Sequence, residues 1–181
     1  MRMNTSDEDL AKAAANGDGA AFALLLERCY DRLFALCFRL TGARAEAEDL
    51  TQDICAALPA KLRRYRVQAR FTTWLYRVAV NAAHDRRRRN ATHAKAATGW
   101  GDWEIARQAG IAEDRERDAW LTTAMAALPD DLRDTLALTV GEDMTHAEAA
   151  AVLEISEGTV SWRLSEARKR LRAMTPKEGT A

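Results

Sequence analysis

Apolar side chains recur along most of this chain at intervals of three and four, the period of helices that bury one face. Ser6 is an N-cap candidate followed by Asp7, Glu8 and Asp9, and the helix it opens should stop at Asn16-Gly17. A longer helix follows Asp18, where Phe22, Leu25, Leu26, Cys29, Leu33, Leu36, Cys37 and Leu40 form a stripe that ends at Thr41-Gly42. The next begins near Ala43, buries Ala47, Leu50, Ile54 and Leu58, and should break or kink at Pro59, which lacks an amide hydrogen. A loop over Arg66 to Arg70 leads into a helix from Ala69 to Arg89. Its apolar face is Phe71, Trp74, Leu75, Val78, Ala79 and Ala82, and its polar face holds Thr72, Thr73, Tyr76, Arg77, Asn81 and His84.

From Asn90 to about Ile111 the period dissolves into small residues, with glycines on either side of Trp100, as in a linker that also contains Trp103. Helical pattern resumes at Glu113 with Trp120, Leu121, Ala124, Met125 and Leu128, and Pro129 opens a helix carrying Leu132, Leu136 and Val140. Thr145 and Glu148 then fit a capping box, in which hydroxyl and carboxylate satisfy orphan amides reciprocally. The short helix HAEAAAVL reaches a turn at Glu154-Ile155, and Ser156 can cap a second helix from Glu157 to about Ala173. Ala149 and Ala150 are small where the two would cross, and Val160, Leu164 and Leu171 supply the buried side of the second. The pair reads as a helix-turn-helix whose second helix has a basic outer face.

Composition narrows this picture. The 181 residues are 48% hydrophobic and 30% charged, with no apolar run near the roughly 20 residues that span a bilayer. A cytoplasmic protein without membrane insertion is expected. Cys29, Cys37 and Cys55 are odd in number and form no CxxC pair, so buried reduced thiols fit better than a disulfide frame or a zinc site. No P-loop, catalytic triad or metal-ligand constellation appears, which points away from an enzyme and from a cofactor, a metal or a small-molecule substrate. The zero net charge conceals a block: residues 61–89 carry ten basic side chains and one acidic one, a local +9, against −4 for residues 1–60 and −5 for residues 90–181. A polyanion would be drawn to that block. Asp49, Gln52 and Asp53 share one helix edge that lacks the further ligands a metal site needs.

Three segments in this order resemble the extracytoplasmic-function (ECF) sigma factors of bacterial RNA polymerase. AEDLTQDICAALPAKLRRYR is similar to the second conserved region of that family and FTTWLYRVAVNAAHDRRRR to its promoter-melting segment. ALPDDLRDTLALTVGEDMTHAEAAAVLEISEGTVSWRLSEARKRL is similar to the fourth region. The resemblance implies an all-α protein of two small helical domains, residues 1–90 and 113–175, joined by a flexible linker over 91–112 and followed by a tail over 176–181. Its function would be to bind core RNA polymerase, direct it to promoters and help melt the −10 region.

The same resemblance assigns residues. Asp49, Gln52 and Asp53 would grip the clamp helices of the β′ subunit, while the fourth region would dock on the β flap. Arg66, Gln68 and Arg70 would capture an extruded −10 base, and Thr73, Tyr76, Arg77, Asn81, Arg86, Arg87, Arg88 and Arg89 would hold the separated strand. Thr159, Ser161, Trp162, Arg163, Ser165, Glu166, Arg168 and Lys169 would face the −35 duplex. Many relatives have basic residues where Ser161 and Glu166 stand, and often Gly where Glu154 stands, so the −35 preference is open and the turn must avoid or tolerate a positive φ. An anti-sigma factor is an implied partner. Two other readings compete: a sigma mimic that sequesters an anti-sigma factor, which would not need the arginines, and a conventional helix-turn-helix regulator, which would not need the +9 block.

Overall fold

Side chains placed at helix ends set where most helices of this chain begin. The computed structural model describes residues 5–96, 120 and 123–174; the docking of Trp100 and Trp103, most of the expected linker, the helix start at Glu113 and the tail over 176–181 lie outside them. Helix α1 (Asp7–Ala15) is capped by the Ser6 hydroxyl, and α2 (Gly19–Thr41) by Asp18, whose carboxylate accepts from the amides of Ala20 and Ala21. Gly42 ends α2 at φ 74°, a left-handed turn, and a Cβ there would stand 3.1 Å from Cβ of Ala126. Helix α3 (Arg44–Leu62) follows, then a loop, then α4 (Phe71–Ala96). The first amide of α4 is held by a residue far away in sequence, Glu8, whose Oε1 accepts from Phe71 N at 3.0 Å.

Two expectations about this half change. Pro59 neither breaks nor ends α3, which continues to Leu62. Proline sits in the final turn, where only the bond to the Cys55 carbonyl is forfeited and Leu62, fully buried, keeps the turn in place. Helix α4 also outruns its predicted end at Arg89 and stays helical to Ala96, because Asn90 to Ala96 contains no breaker.

The second half begins with a helical stretch over 123–127, then α5 (Asp130–Leu136), a single wide turn over Ala137–Gly141, α6 (His146–Leu153) and α7 (Glu157–Met174). Pro129 stands at the N-cap of α5 as expected. The wide turn corrects the predicted stripe of this helix. Leu132 and Leu136 are buried, but the extra residue in the turn rotates the chain, so Leu138 enters the core and Val140 is left 62% exposed.

Thr145 and Glu148 form the reciprocal capping box, and Ser156 Oγ accepts from Thr159 N at 3.1 Å. Glu154 occupies the turn at φ 57° and ψ 42°, so this chain tolerates a left-handed residue rather than avoiding one. Ala149, Ala150, Val160 and Leu164 are buried between α6 and α7, with Leu171 at the margin.

All described residues are helix, turn or loop. The buried side chains of both halves form one continuous cluster, running from Leu10 and Leu33 through Leu75 to Leu138, Val152 and Leu164. The two halves are therefore pressed together.

Candidate nucleic-acid and polymerase interface

The basic block is built by α4 and the loop before it. Apolar packing fixes the roll of α4: Phe71, Leu75, Ala79, Val80 and Ala83 are buried against α2 and α3, and Tyr65, Phe71 and Trp74 stack with ring centroids 5.1 to 6.0 Å apart. Ahead of the helix, Arg66, Gln68 and Arg70 are exposed on a loop that the Tyr65 hydroxyl braces by donating to the Ala69 carbonyl at 2.8 Å. Arg70 borders a polar cleft of about 620 Å³ between the two halves, lined also by Arg32, Arg39, Thr73, Tyr76, Glu142 and Asp143.

Further along α4 the candidate side chains divide into three groups. Asn81, Arg88 and Arg89 are exposed, with Arg88 resting on Asp85 at 2.9 Å. Arg86 turns toward α3 and bridges Asp49 at 3.2 Å and Asp53 at 3.4 Å. Those two carboxylates stay about two-thirds exposed, at 66% and 65%, so the bridges are weak and the acidic edge with Gln52 remains open to a partner.

The third group meets the second half. Tyr76, expected on the free polar face, is buried, and its hydroxyl donates to Glu142, which also receives Arg39. Arg77 donates to the Ala151 carbonyl in the last turn of α6. Arg87 forms a forked pair with Asp134, at 2.9 and 2.7 Å, while His84 Nε2 lies 2.7 Å from the same carboxylate. Thr73 is half-buried at this junction.

Asp134 is the electrostatic centre of the contact. Its side chain is 1% exposed, and burial pushes its pKa up, but hydrogen bonds from His84 and Arg87 outweigh that and hold the carboxyl below the ordinary value. The Arg87 guanidinium is held above its ordinary range by the same pairing, against its own desolvation. Burial and the Glu142 carboxylate push the Tyr76 phenol far up, so it serves as a neutral donor.

Sequence reasoning did not single out Asp134, Glu142, Arg39 or Arg133. Arg133 is buried and is satisfied by backbone oxygens of Met125, Leu128 and Leu40 at 2.9, 2.9 and 3.2 Å. Leu40 O also accepts from Arg87 at 2.6 Å, so two cations converge on the negative end of α2. One signal was present in the chain: a charged Arg-Asp pair interrupting an apolar helix between Leu132 and Leu136.

The outer face of α7 is differently placed. Ser161, Trp162, Ser165, Arg168 and Lys169 are exposed, Trp162 at 62%. His146 Nδ1 lies 3.0 Å from the Ser161 hydroxyl, linking the first residue of α6 to the second turn of α7. Thr159 shares its hydroxyl with Ser156 at 2.9 Å. Arg163 reaches Asp131 at 3.5 Å and Glu166 receives Arg170 at 3.0 Å, so the Glu166 carboxylate is locally neutralised. Among the described residues no group of three or more His, Cys, Asp or Glu is placed to hold a metal ion, and no helix is long and apolar enough to cross a membrane.

Residues 25–93 match the family described as Sigma-70 region 2, and residues 118–171 match Sigma-70, region 4. The chain is 31% identical to the ECF RNA polymerase sigma factor SigM of Mycobacterium tuberculosis, across 94% of this chain and 85% of that one. It is 28% identical to the ECF RNA polymerase sigma factor SigW of Bacillus subtilis, across 89% and 92%. Among solved structures it resembles CnrH in complex with the cytosolic domain of CnrY, with TM-score 0.68, 27% identity and coverage of 93% and 96%. The sigma factor RpoE bound to the anti-sigma factor NepR from Bartonella quintana shares the fold, with TM-score 0.73, 23% identity and coverage of 87% and 98%.

Proposed function

Because the chain belongs to the extracytoplasmic-function sigma factors of bacterial RNA polymerase, we propose that its two halves divide promoter recognition between them: α3 and α4 bind polymerase and the melted −10 strand, and α7 reads the −35 duplex. The protein is an alternative sigma factor. It binds core polymerase, directs it to a class of promoters and helps open them. Nucleotide polymerisation is left to the polymerase, and the work is done in the bacterial cytoplasm. An anti-sigma factor is the expected antagonist, as in the relative bound to NepR.

The observation that supports this division is the coexistence of two separate exposed surfaces: the outer face of α7, and an acidic edge beside a basic block on α3 and α4. Strand separation without a nucleotide motor must be driven by preferential binding of the single strand, through cations along its backbone and a pocket for an unstacked base. Arg66, Gln68 and Arg70 offer that pocket, and Asn81, Arg88 and Arg89 continue the track once Tyr76, Arg77 and Arg87 are freed. Arg86 holds the acidic edge and is set to exchange partners when the clamp helices arrive. On α7, Trp162 offers a flat apolar face to thymine methyls, Ser161 and Ser165 offer hydroxyls to base edges, and Arg168 and Lys169 suit phosphate oxygens.

Reconstitution with core polymerase tests the reading. The holoenzyme should give promoter-specific transcripts from a genomic template library and permanganate-reactive thymines near −10. Failure to retain core polymerase in a low-salt pull-down would overturn it, and core binding with no strand opening would make the chain a sigma mimic. Replacing Asp49 and Asp53 together by Lys should abolish retention while leaving helicity unchanged.

A further inference from the structure

One hydroxyl on the outer face of α7 is held by the other helix of the pair. His146, the first residue of α6, has Nδ1 3.0 Å from Ser161 Oγ, and both residues are exposed. Other polar groups on that face are engaged differently. Thr159 shares its hydroxyl with Ser156 at the start of its own helix, and Glu166 pairs with Arg170 one turn on. Ser161 is instead bonded across the helix pair, so a residue of α6 decides which part of its hydrogen-bonding capacity is left for DNA.

A hydroxyl has one proton to donate and two lone pairs with which to accept. A neutral imidazole has one donor and one acceptor, and the bond made by one ring nitrogen sets the role of the other. Among the described residues Nε2 of His146 has no hydrogen-bond partner. The first helix of a helix-turn-helix crosses the sugar-phosphate backbone, whose phosphate oxygens can only accept. We propose that His146 is a specificity-determining residue for the −35 element: with Nε2–H turned to a phosphate, Nδ1 accepts the only proton of Ser161, and Ser161 meets the bases as an acceptor. The proposal rests on the reading of α7 as the −35 helix.

An acceptor in the major groove sorts the four bases into two classes. Adenine N6 and cytosine N4 present amino donors, whereas guanine O6 and thymine O4 present carbonyl oxygens. Ser161 lone pairs bond to the amino bases and are repelled by the keto bases. A serine with no such partner would not discriminate, because its hydroxyl rotates to suit whichever group it meets. His146 removes that freedom without touching a base, so it is a positioning residue that acts through Ser161. The phosphate contact and the base contact are thereby joined in one hydrogen-bonded chain, and the contacted position of the −35 element is adenine or cytosine.

The test uses the full chain in reconstituted holoenzyme, on a promoter that it transcribes, with every −35 position changed to each of the four bases and transcripts counted in competition. In the wild type one position should favour adenine or cytosine over guanine or thymine by about tenfold, the usual cost of one mismatched base pair. S161A should erase that preference. H146A should admit all four bases there and leave the other positions unchanged. H146N should restore the amino preference, since its amide carries an acceptor at the place of Nδ1 and a donor beside it. A preference that survives H146A, a relaxation spread over the whole element, or a keto preference in the wild type would each overturn the proposal. S161K then locates the fault. A shift of one position to guanine, which a donor-only side chain selects, keeps α7 as the −35 reader and confines the error to His146; a profile that S161K leaves unaltered means that α7 does not read the element.

Discussion

The carboxylate of Glu8 caps a helix that begins 63 residues later, accepting from the amide of Phe71 at 3.0 Å. That single bond ties α1 to the start of α4 and to the loop carrying Arg66, Gln68 and Arg70. It also holds the Glu8 carboxyl below its ordinary value, through the Phe71 amide first. E8A should destabilise the protein by about 1 kcal/mol, the usual cost of losing an N-cap. Since the folded pKa is depressed, this contribution is present above the ordinary value of 4.5 and disappears as pH falls through the folded value. Urea unfolding of wild type and E8A at neutral pH and at successively lower pH should show curves that converge on the acid side.

Arg88 and Arg89 are the exposed members of the arginine run, while Arg86 and Arg87 are engaged within the chain. R88A/R89A should weaken open complexes and flatten their salt dependence, by about 0.7 in the logarithmic slope for each single-strand phosphate that is no longer neutralised. An unchanged slope in filter-binding assays across a salt series would mean these two side chains do not touch the strand.

Glu154 sits at φ 57°, a conformation that costs an ordinary residue about 1 kcal/mol or more and costs glycine little. E154G should raise stability by roughly 0.5 kcal/mol once the greater chain entropy of unfolded glycine is deducted. A downward shift of the urea midpoint would show that the Glu154 side chain contributes more than its backbone strain costs.

Cys29 and Cys37 are buried, and burial pushes both thiols up to about 11. Neither should react with a disulfide reagent in the native protein near neutral pH, because thiolate is scarce and access is blocked. Cys55, half-buried with its thiol also pushed up, should react slowly, and all three should react at once in denaturant. Rapid labelling of Cys29 or Cys37 in buffer would reveal frequent opening of α2 from the core.

Much of the secondary structure could be read from short-range chemistry. Ser6, Asp18, Thr145 with Glu148, and Ser156 cap helices where their hydroxyls and carboxylates predict, because a cap is a contact between residues two or three apart. Periodicity identified Leu25, Leu33, Leu50 and Leu75 as core, and the charge block marked α4 without any geometry. The wide turn at Ala137–Gly141 was not legible, since nothing in ALTVG distinguishes one extra residue per turn from a regular helix, and Val140 was placed inward for that reason.

The sequence by itself determined most of the helices, most of their apolar faces and where the cations lie. Only the tertiary structure decided what those cations meet. Periodicity reports that a face prefers burial or water, but Tyr76 and Arg87 lie on a polar face that another polar surface covers, through partners 66 and 47 residues away. Such pairs leave no periodic trace in the chain. They exist because a buried carboxylate requires a partner, and packing of α5 and α6 against α2 and α4 brings Asp134 and Glu142 within reach of the groups that can satisfy them.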